Sequence, residues 1–538
     1  MSTRFYNTLT HQIEDFTPLR PGPDPADPLR GADVCMYTCG PTVYDFAHIG
    51  NFRAFLFADV LRRYLELRGA RVRHVMNMTD VGHMTDDQIA DGAGRDKLEL
   101  AVEKMKENKK SGKAAVENPN DPFQVADFFV RAFLDDARRL RLEVVADYDA
   151  ADTPEKKEAI MPRPTRHIES FIELIQELIQ KNHAYVGADG VVYYDVGSFG
   201  EYGRLSGNSV DKLSHGAGGR TNLQAAKRHP ADFFLWKPDQ KHLMRWPAPW
   251  GEGYPGWHVE CSAMAMGILG ETLDIHTGGE DNIFPHHECE IAQSQGATDK
   301  IFVRYWLHAR HLMVNGEKMS KSKGNFFTIR DLEAQGFDPL VIRWALINTR
   351  YRETMNFTHQ GLYEAADAIT KLRDLAEKLI TAVGSVDEAA GDGDFAGPGA
   401  PVAAHQPALE KADAVFLGEF QRAMDDDLNI AGAIGALFTW AGPLFKQKKF
   451  SYAQARSALW CLKRVDHVLS VIFAPLRALP AENKQRIEDL MKRRDAVRQK
   501  KDYAAGDELR KQLLKLGAEV KDTPNGSAWR PLLAPVQS

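Results

Sequence analysis

The chain has 538 residues, of which 43% are hydrophobic and 26% are charged, so length and composition predict a globular protein of about three or four domains. Its 68 basic and 74 acidic residues give a net charge of −6, which excludes a histone-like coat of positive charge. No apolar run approaches the roughly 18 residues of a transmembrane helix, and the start has no signal-peptide pattern, so we expect no membrane partner. Five cysteines, a sparse and odd set, predict a reducing, cytoplasmic location and a role as metal ligands or buried thiols.

The first predicted unit is a strand, a helix and a second strand. VCMYTC (34–39) is a short apolar run that ends at a Gly-Pro turn, a helical pattern follows it, and RVRHVMNM (71–78) is the second apolar run. This βαβ pattern predicts a parallel sheet in an α/β fold.

Two later segments differ from the rest in composition. Residues 89–120 contain KENKKSGK and few large apolar residues, which predicts a solvated insertion, and residues 383–408 are rich in Gly, Ala, Pro and Asp, which predicts a flexible linker. The other predicted segments, in chain order, are helices over 122–185, a strand over 191–196, long loops over 200–256, α/β structure over 258–347, helices over 361–382 and 409–475, and a charged helical pair over 484–515.

The first motif that carries chemistry is PTVYDFAHIGN, which follows the first strand and opens the helix. A helix N-terminus offers N–H groups and a positive dipole end, which suit a phosphate. Gly50 allows a nucleotide to approach the backbone closely, and His48 and Asn51 can donate hydrogen bonds to a phosphoryl oxygen as charge develops on it. Taken alone, the motif is equally compatible with an ordinary strand–turn–helix and a surface histidine.

The second motif is GEKMSKSKGN (316–325), in which Lys318 and Lys321 can surround a triphosphate with point charges. A lone Lys-x-x-Lys loop is more often merely solvated. The pair of motifs is far more specific, because an HIG element after the first strand, with a KMSKS loop some 270 residues later, resembles the two signature motifs of class I aminoacyl-tRNA synthetases.

A third group of residues offers metal ligands. Cys39 ends the first strand, Cys261 lies in GWHVECSAM, and PHHECE (285–290) adds imidazole, thiol and carboxylate groups, the usual Zn²⁺ ligands. His286 and Glu290 are four residues apart, so a helix places both on one face. Spacing alone leaves open which of the two adjacent histidines binds, and whether Glu290 or the thiol before it is the fourth ligand.

Six segments together resemble the cysteinyl-tRNA synthetase family. TCGPTVYDFAHIGN, NMTD, GWHVECSAM, DIHTGGEDNIFPHHECEIAQS, GEKMSKSKGN and AMDDDLN occur in the family's order over nearly the whole chain. The resemblance implies that one Zn²⁺ per chain is bound by Cys39, Cys261, His286 and Glu290. The sequence departs from the family at Cys289, where the family usually has a residue that does not bind metal, so a thiolate competes for the fourth position.

The resemblance also assigns residues to each substrate. The implied sets are Thr79 and Trp257 for the amino acid, His48, Gly50 and Asn51 for ATP, and Lys318 and Lys321 for the departing pyrophosphate, with His48, Asn51, Lys318 and Lys321 as the catalytic residues. The implied reaction forms cysteinyl-adenylate from L-cysteine and ATP, with Mg²⁺ accompanying the ATP, and then transfers the cysteinyl group to tRNA(Cys). We expect the protein to act as a monomer.

The fold that the resemblance implies is a Rossmann-like parallel-sheet catalytic domain with an inserted connective domain, followed by a helical bundle and a small C-terminal anticodon-binding domain. The expected boundaries are 1–125 and 256–315 for the two halves of the catalytic domain, 126–255 for the connective insertion, 316–360 for the KMSKS loop and linking region, 361–480 for the bundle and 481–538 for the anticodon-binding domain.

The C-terminal region offers a nucleic-acid surface. Residues 484–515 contain eleven basic and six acidic residues, a net charge of +5, which suits phosphate contacts as well as it suits a solvated, salt-bridged face. Trp529, with Asp522 and Arg530, is a candidate for stacking on and reading an exposed RNA base.

Two alternatives share part of this pattern. A ligase that joins cysteine to an amino sugar in thiol biosynthesis would have the same zinc site and ATP motifs but no anticodon-reading end, and residues 361–538 argue against it. A non-catalytic RNA-binding paralogue would not need intact HIGN and KMSKS motifs.

Overall fold

The structure, a computed structural model, describes residues 2–81, 84–86, 93–110, 116–208, 226–320, 323–384, 407–523 and 526–536. The strands are β1 (Arg4–Asn7), β2 (Gln12–Asp15), β3 (Asp33–Thr38), β4 (Arg71–Met76), β5 (Met84–Asp86), β6 (Ala93–Asp96), β7 (Ala184–Val186), β8 (Val192–Tyr194), β9 (Phe233–Pro238), β10 (Gly253–Pro255), β11 (Leu273–Gly279), β12 (Val303–Ala309), β13 (Leu312–Val314), β14 (Glu317–Lys318), β15 (Met355–Phe357), β16 (Ala518–Thr523) and β17 (Gly526–Pro531). The α-helices are α1 (Ile49–Leu67), α2 (Lys97–Lys110), α3 (Pro122–Arg139), α4 (Glu143–Ala150), α5 (Pro154–Glu158), α6 (Ile168–Gln180), α7 (Trp257–Leu269), α8 (Glu288–Thr298), α9 (Ile329–Ala334), α10 (Pro339–Ile347), α11 (His359–Val383), α12 (Lys411–Asp425), α13 (Ile430–Lys446), α14 (Tyr452–Leu469), α15 (Ala481–Gln499) and α16 (Tyr503–Lys515).

The centre of the fold is a four-stranded parallel sheet in the order β12–β11–β3–β4. Helix α1 connects β3 to β4 across it, which confirms the predicted βαβ unit. Most of α1 is buried because it packs on the sheet and also against the helical bundle. The two central strands end at Thr38 and Gly279, so the residues that follow them meet at one edge of the sheet, where ligands of open α/β sheets bind.

A smaller antiparallel sheet, in the order β10–β9–β8–β7, forms a second core with α6, α7 and α8. The prediction of long loops over 200–256 is therefore wrong at β9 and β10. β9 has the sequence FFLWKP, whose Phe233, Leu235 and Trp236 are buried in this second core. Short aromatic strands between Gly- and Pro-rich turns are masked by the composition of their surroundings.

The prediction of a solvated insertion over 89–120 is wrong at helix α2, which contributes to the main core. Within the described part of that segment, Leu98, Ala101, Val102 and Met105 are buried in the main core, against α3. Their spacing of three, four and seven residues makes one apolar stripe, while Glu103, Lys104, Glu107 and Lys109 of the same helix are exposed. Composition conceals this stripe, and periodicity reveals it.

Helices α11 to α14 form the predicted bundle, and α15 and α16 form the predicted charged pair, followed by the β16–β17 hairpin. Helix α11 continues to Val383, and most of the predicted linker, residues 385–406, lies outside the described residues. None of the described helices is both long and apolar enough to cross a membrane. The domain boundaries expected from the sequence stay predictions.

A buried ion-pair network joins α1 to α10 and the bundle. The Asp59 carboxylate accepts from Arg63 Nε at 2.8 Å, from an Arg343 guanidinium nitrogen at 2.6 Å, and from the Glu143 N–H at 2.7 Å. Arg343 is fully buried and also donates to the carbonyl oxygens of Leu469 and Leu140. Burial raises the pKa of Asp59, but the two guanidinium charges outweigh it and hold the pKa well below its usual range.

Candidate active site and metal centre

The HIGN motif begins α1 in the way expected of a phosphate-binding helix N-terminus. His48 is the N-cap: its Nδ1 accepts from the Asn51 backbone N–H at 3.2 Å, and the Asn51 side-chain oxygen accepts from the His48 backbone N–H at 3.1 Å. Because Nδ1 is an acceptor, the proton of the neutral imidazole is on Nε2. The donor nitrogen of the His48 ring at the helix N-terminus is therefore Nε2.

The structure brings the two signature motifs into contact. A Cβ atom on Gly50 would lie 3.2 Å from the terminal methyl carbon of Met319, in the KMSKS loop, and the Ile49 N–H donates to the Phe327 carbonyl at 3.0 Å. Lys318 lies on β14 with an exposed side chain. Lys321 lies outside the described residues, so its predicted role is not addressed by this geometry.

Four side chains predicted as metal ligands meet in one buried cluster. The ligand atoms of Cys39, Cys261, His286 and Glu290 all lie within 4.8 Å of one another. The two Sγ atoms are 3.9 Å apart, Cys39 Sγ is 3.5 Å from Glu290 Oε1, and His286 Nε2 is 2.8 Å from the same oxygen. Two sulfurs, one imidazole nitrogen and one carboxylate oxygen form a donor set of the kind that binds Zn²⁺ in proteins.

Each of these residues comes from a different local structure. Cys39 directly follows β3, at the carboxyl edge of the parallel sheet, and Cys261 lies in the second turn of α7. His286 lies in a short irregular turn, Ile283–His287, and Glu290 lies in the first turn of α8. The backbone after Cys39 packs closely against Asn77. A Cβ on Gly40 would lie 1.8 Å from the Asn77 carbonyl oxygen, so only glycine fits at this position.

The electrostatics of the cluster favour the anionic forms of two of these groups. Burial opposes ionisation of Cys261, but the hydrogen bond with Cys39 and the charge of His286 lower the pKa of Cys261 to about 6. Burial likewise opposes ionisation of Glu290, while His276 and His286 hold its pKa well below the usual range. A thiolate and a carboxylate in a buried site match the charge of a divalent cation.

Four further histidines surround the cluster, and the sequence analysis assigned none of them. His258 Nδ1 is 2.9 Å from His286 Nδ1, His276 Nε2 is 2.9 Å from Glu290 Oε2, and His287 Nε2 is 3.3 Å from Cys39 Sγ. His287 Nδ1 in turn contacts His308 Nε2 at 2.7 Å. Three of these histidines, His258, His276 and His287, lie in the motif segments that also contain predicted ligands, GWHVECSAM and DIHTGGEDNIFPHHECEIAQS. Their position in those segments was the sequence signal that could have identified them.

Cys39, His276, His287 and Glu290 form a second group whose ligand atoms also lie within 4.8 Å of one another. It shares Cys39 and Glu290 with the first group. His287 is thus next to the predicted site but belongs to the set that lacks Cys261.

Cys289 lies in neither group. Its thiol is fully buried in the second core, where Sγ is 3.4 Å from the Tyr202 hydroxyl oxygen. Successive residues of a helix point about 100° apart, so Glu290 and Cys289 cannot face the same side of α8. The geometry favours the carboxylate over the thiol as a ligand.

Of the two residues predicted to contact the amino acid, Trp257 contacts the cluster, and Thr79 pairs with the segment that follows Cys39. The Trp257 ring stacks on His286 with centroids 4.0 Å apart, and Trp257 lies one helical turn before Cys261 on the same face of α7. Thr79 is buried and pairs with Thr42 and Pro41, which lie directly after Cys39 and Gly40.

Two charged residues that were candidates for reading RNA make ion pairs within the protein: Arg530 of the C-terminal hairpin contacts the bundle, and Asp522 contacts α15. Arg530 donates to Glu519 at 2.7 Å and also pairs with Asp374 of α11, and Asp522 accepts from Arg494 and Arg498, each at 2.8 Å. Reading of a base by these residues stays a prediction.

Comparisons with known proteins agree along the whole chain. The family described as tRNA synthetases class I (C) catalytic domain matches residues 25–367, the DALR domain matches 419–474, and the cysteinyl-tRNA ligase anticodon binding domain matches 481–530. The Cysteine--tRNA ligase of Salinibacter ruber is 38% identical over 98% of each chain, and that of Thermococcus onnurineus is 38% identical over 98% of this chain and 99% of its own.

Among solved structures, the methionyl-tRNA synthetase of Mycobacterium tuberculosis in complex with methionyl-adenylate shares the fold. Its TM-score is 0.51 at 14% identity, covering 85% of this chain and 94% of that one. Fold and site together define a class I aminoacyl-tRNA synthetase. Within that class, the chain belongs to the cysteine--tRNA ligase family, which confirms the resemblance found in the sequence.

Proposed function

We propose that this protein attaches L-cysteine to tRNA(Cys) at the expense of ATP, through a cysteinyl-adenylate. The observation that carries the proposal is the contact between the HIGN and KMSKS motifs at the sheet edge where Cys39 and Cys261 meet. A nucleotide bound by the motifs would have its α-phosphate next to an amino acid bound at the cysteines. Family membership, including the anticodon-binding match, supports tRNA as the acceptor.

The proposed first step is attack of the cysteine carboxylate on the α-phosphorus of ATP, which breaks its bond to the bridging oxygen and releases pyrophosphate. His48 donates from Nε2 and Asn51 from its side-chain amide to the phosphoryl oxygens as their charge increases. Lys318, and by resemblance Lys321, balance the charge of the departing pyrophosphate, and Mg²⁺ accompanies the ATP. The tRNA 3′-terminal ribose hydroxyl then attacks the adenylate carbonyl and displaces AMP.

For the metal, we propose one Zn²⁺ bound by Cys39, Cys261, His286 and Glu290. When bound, Zn²⁺ supplies a bond to the substrate thiolate that it does not make equally well to the alcohol of serine. His258 holds the His286 ring through Nδ1, which directs His286 Nε2 toward Glu290 and the cluster. The Trp257 ring covers the other side of His286 and is placed to border the bound amino acid. A monomer in the cytoplasm remains part of the proposal.

The test is ATP–pyrophosphate exchange with the purified protein. Exchange should depend on L-cysteine and not on serine, and total tRNA should then accept labelled cysteine. Activity on an aminoglycoside with no cysteinyl-tRNA would establish the amino-sugar ligase instead. Absence of any cysteine-dependent exchange would leave only a non-catalytic RNA-binding role.

His48→Asn should slow exchange by about 10²–10³-fold, because the variant loses the imidazole donor at a developing oxyanion. Asparagine is itself a good N-cap, so α1 should keep its capping hydrogen bond and the protein its melting temperature. His48→Ala serves as the comparison, since it loses the cap as well and should cost about 1 kcal/mol of stability. Unchanged exchange in His48→Asn would remove His48 from the catalytic set.

A further inference from the structure

Arg53 lies two residues after Asn51 on α1, and its side chain is only 3% exposed. Its guanidinium uses all five of its N–H donors. Nε donates to the Arg310 carbonyl at 3.2 Å, one terminal nitrogen donates to the Leu346 carbonyl at 3.0 Å and the Met355 sulfur at 3.6 Å, and the other donates to the carbonyls of Arg350 at 3.0 Å and Glu353 at 2.9 Å. Every acceptor lies about 250 residues or more away along the chain.

Three of these acceptors lie in or just before the strands that support the KMSKS loop. Arg310 lies two residues before β13, and Glu353 lies two residues before β15; β13 and β15 pair in parallel. β13 also pairs with β14, which carries Lys318 and leads directly into the KMSKS loop. One side chain of α1 therefore holds the entry to both strands of the small sheet from which the loop projects.

The bonding pattern explains why the residue is arginine. A guanidinium is a planar fork with five donors, whereas an ammonium has three donors and no fixed plane. Lysine at this position would leave at least one buried carbonyl unpaired and would have no rigid geometry with which to fix the others. Burial lowers the pKa of Arg53 to about 10, so the guanidinium is still charged at neutral pH.

We propose that Arg53 is a positioning residue for amino acid activation: through four backbone carbonyls, it fixes the distance between the α1 N-terminus, with His48 and Asn51, and the hairpin that carries Lys318. This inference rests on the proposed function, because both motifs must act on one nucleotide. A misplacement of about 1 Å between groups that act on one substrate can cost on the order of 10²-fold in rate.

The experiment compares Arg53→Lys with Arg343→Lys in the full-length protein. Arg343 is the matched control, since it is also a buried arginine that donates to backbone carbonyls, but its acceptors are Asp59 and the carbonyls of Leu140 and Leu469 and not the residues beside β13 and β15. Below the melting temperatures of both variants, Arg53→Lys should raise the KM for ATP about tenfold and lower the exchange kcat by about 10–100-fold. The KM for cysteine and the zinc content should stay within twofold of wild type. Arg343→Lys should lower the melting temperature without changing the KM for ATP.

Two outcomes would overturn the inference. If Arg53→Lys and Arg343→Lys alter exchange alike, or if Arg53→Lys raises the KM for cysteine as much as that for ATP, then Arg53 only stabilises the fold. Arg53→Gln, which keeps two donors and buries no ammonium, replaces Arg53→Lys if the latter does not fold, with the same expected split. If the wild-type protein shows no cysteine-dependent exchange, that result contradicts the proposed function and not the role of Arg53. The role of Arg53 is then tested by ATP affinity measured by calorimetry. The affinity should weaken about tenfold in Arg53→Lys and stay unchanged in Arg343→Lys.

Discussion

Cys261→Ala should release the bound metal and remove the selection of cysteine over serine. The variant loses one of two sulfur donors from a cluster in which each ligand atom lies within 4.8 Å of the others, and among the described residues neither group of candidate ligands contains a thiol besides Cys39 and Cys261. We expect zinc content to fall from about one per chain to well below that, and cysteine-dependent exchange to fall by about 10² or more, since loss of even an outer-sphere partner costs 10–100-fold. Metal analysis and ATP–pyrophosphate exchange measure the two effects.

The loss of selection follows from the chemistry of the two amino acids. Serine differs from cysteine only by oxygen for sulfur, and a pocket that relies on shape separates such near-isosteres by no more than about 10²-fold. The metal–sulfur bond must supply the rest. Residual activity of the Cys261→Ala variant should therefore show a cysteine-to-serine ratio below about 10².

Cys289→Ala is the matched control, because it also removes a fully buried thiol, one residue from Glu290. Its Sγ faces Tyr202, so the variant should keep its metal and its selectivity and lose only a little stability. Glu290→Ala, by contrast, should lose metal. If Cys289→Ala is the variant that loses metal, the fourth ligand is the thiolate and the assignment of Glu290 is wrong.

Asp59→Asn should lower the free energy of unfolding by about 3–5 kcal/mol, the cost of leaving buried charges without their partner. Arg63 and Arg343 both point at this carboxylate, and an amide cannot balance two guanidinium charges. Urea unfolding at pH 7 measures the change. Asp33→Asn is the control: it breaks an aspartate–arginine pair with Arg71 whose side chains are 46% and 52% exposed, and such a surface pair contributes less than about 1 kcal/mol.

The pH dependence of this difference has a defined sign. The pKa of Asp59 is held below its usual value in the folded protein, so its contribution to stability is present above the ordinary aspartate pKa and is lost as the pH falls. The gap in stability between wild type and Asp59→Asn should therefore narrow as the pH is lowered from 7 into the acid range. A gap that stays constant would mean that the aspartate charge is not what stabilises the network.

Several features could be predicted from the sequence because their signals are local. The first strand, the Gly-Pro turn and the HIGN motif lie within about twenty residues, and strand, cap and helix follow from that order. The two wrong predictions, a solvated insertion over 89–120 and loops over 200–256, come from judging a segment by its average composition. The charged residues of α2 outnumber its apolar stripe, and the short aromatic strand β9 lies among Gly- and Pro-rich turns.

By itself, the sequence determined the α/β class, the family and the residue types that carry the chemistry, because short motifs preserve both the order and the spacing of their donors. Only the tertiary structure decided which neighbours face each other. Whether Glu290 or Cys289 points at Cys39 depends on where α8 begins and on which side of it meets β3. The role of Arg53 depends on backbone carbonyl groups, which every residue has, so the residue types in the sequence could not predict it. Only the folded chain brings those carbonyls to one guanidinium.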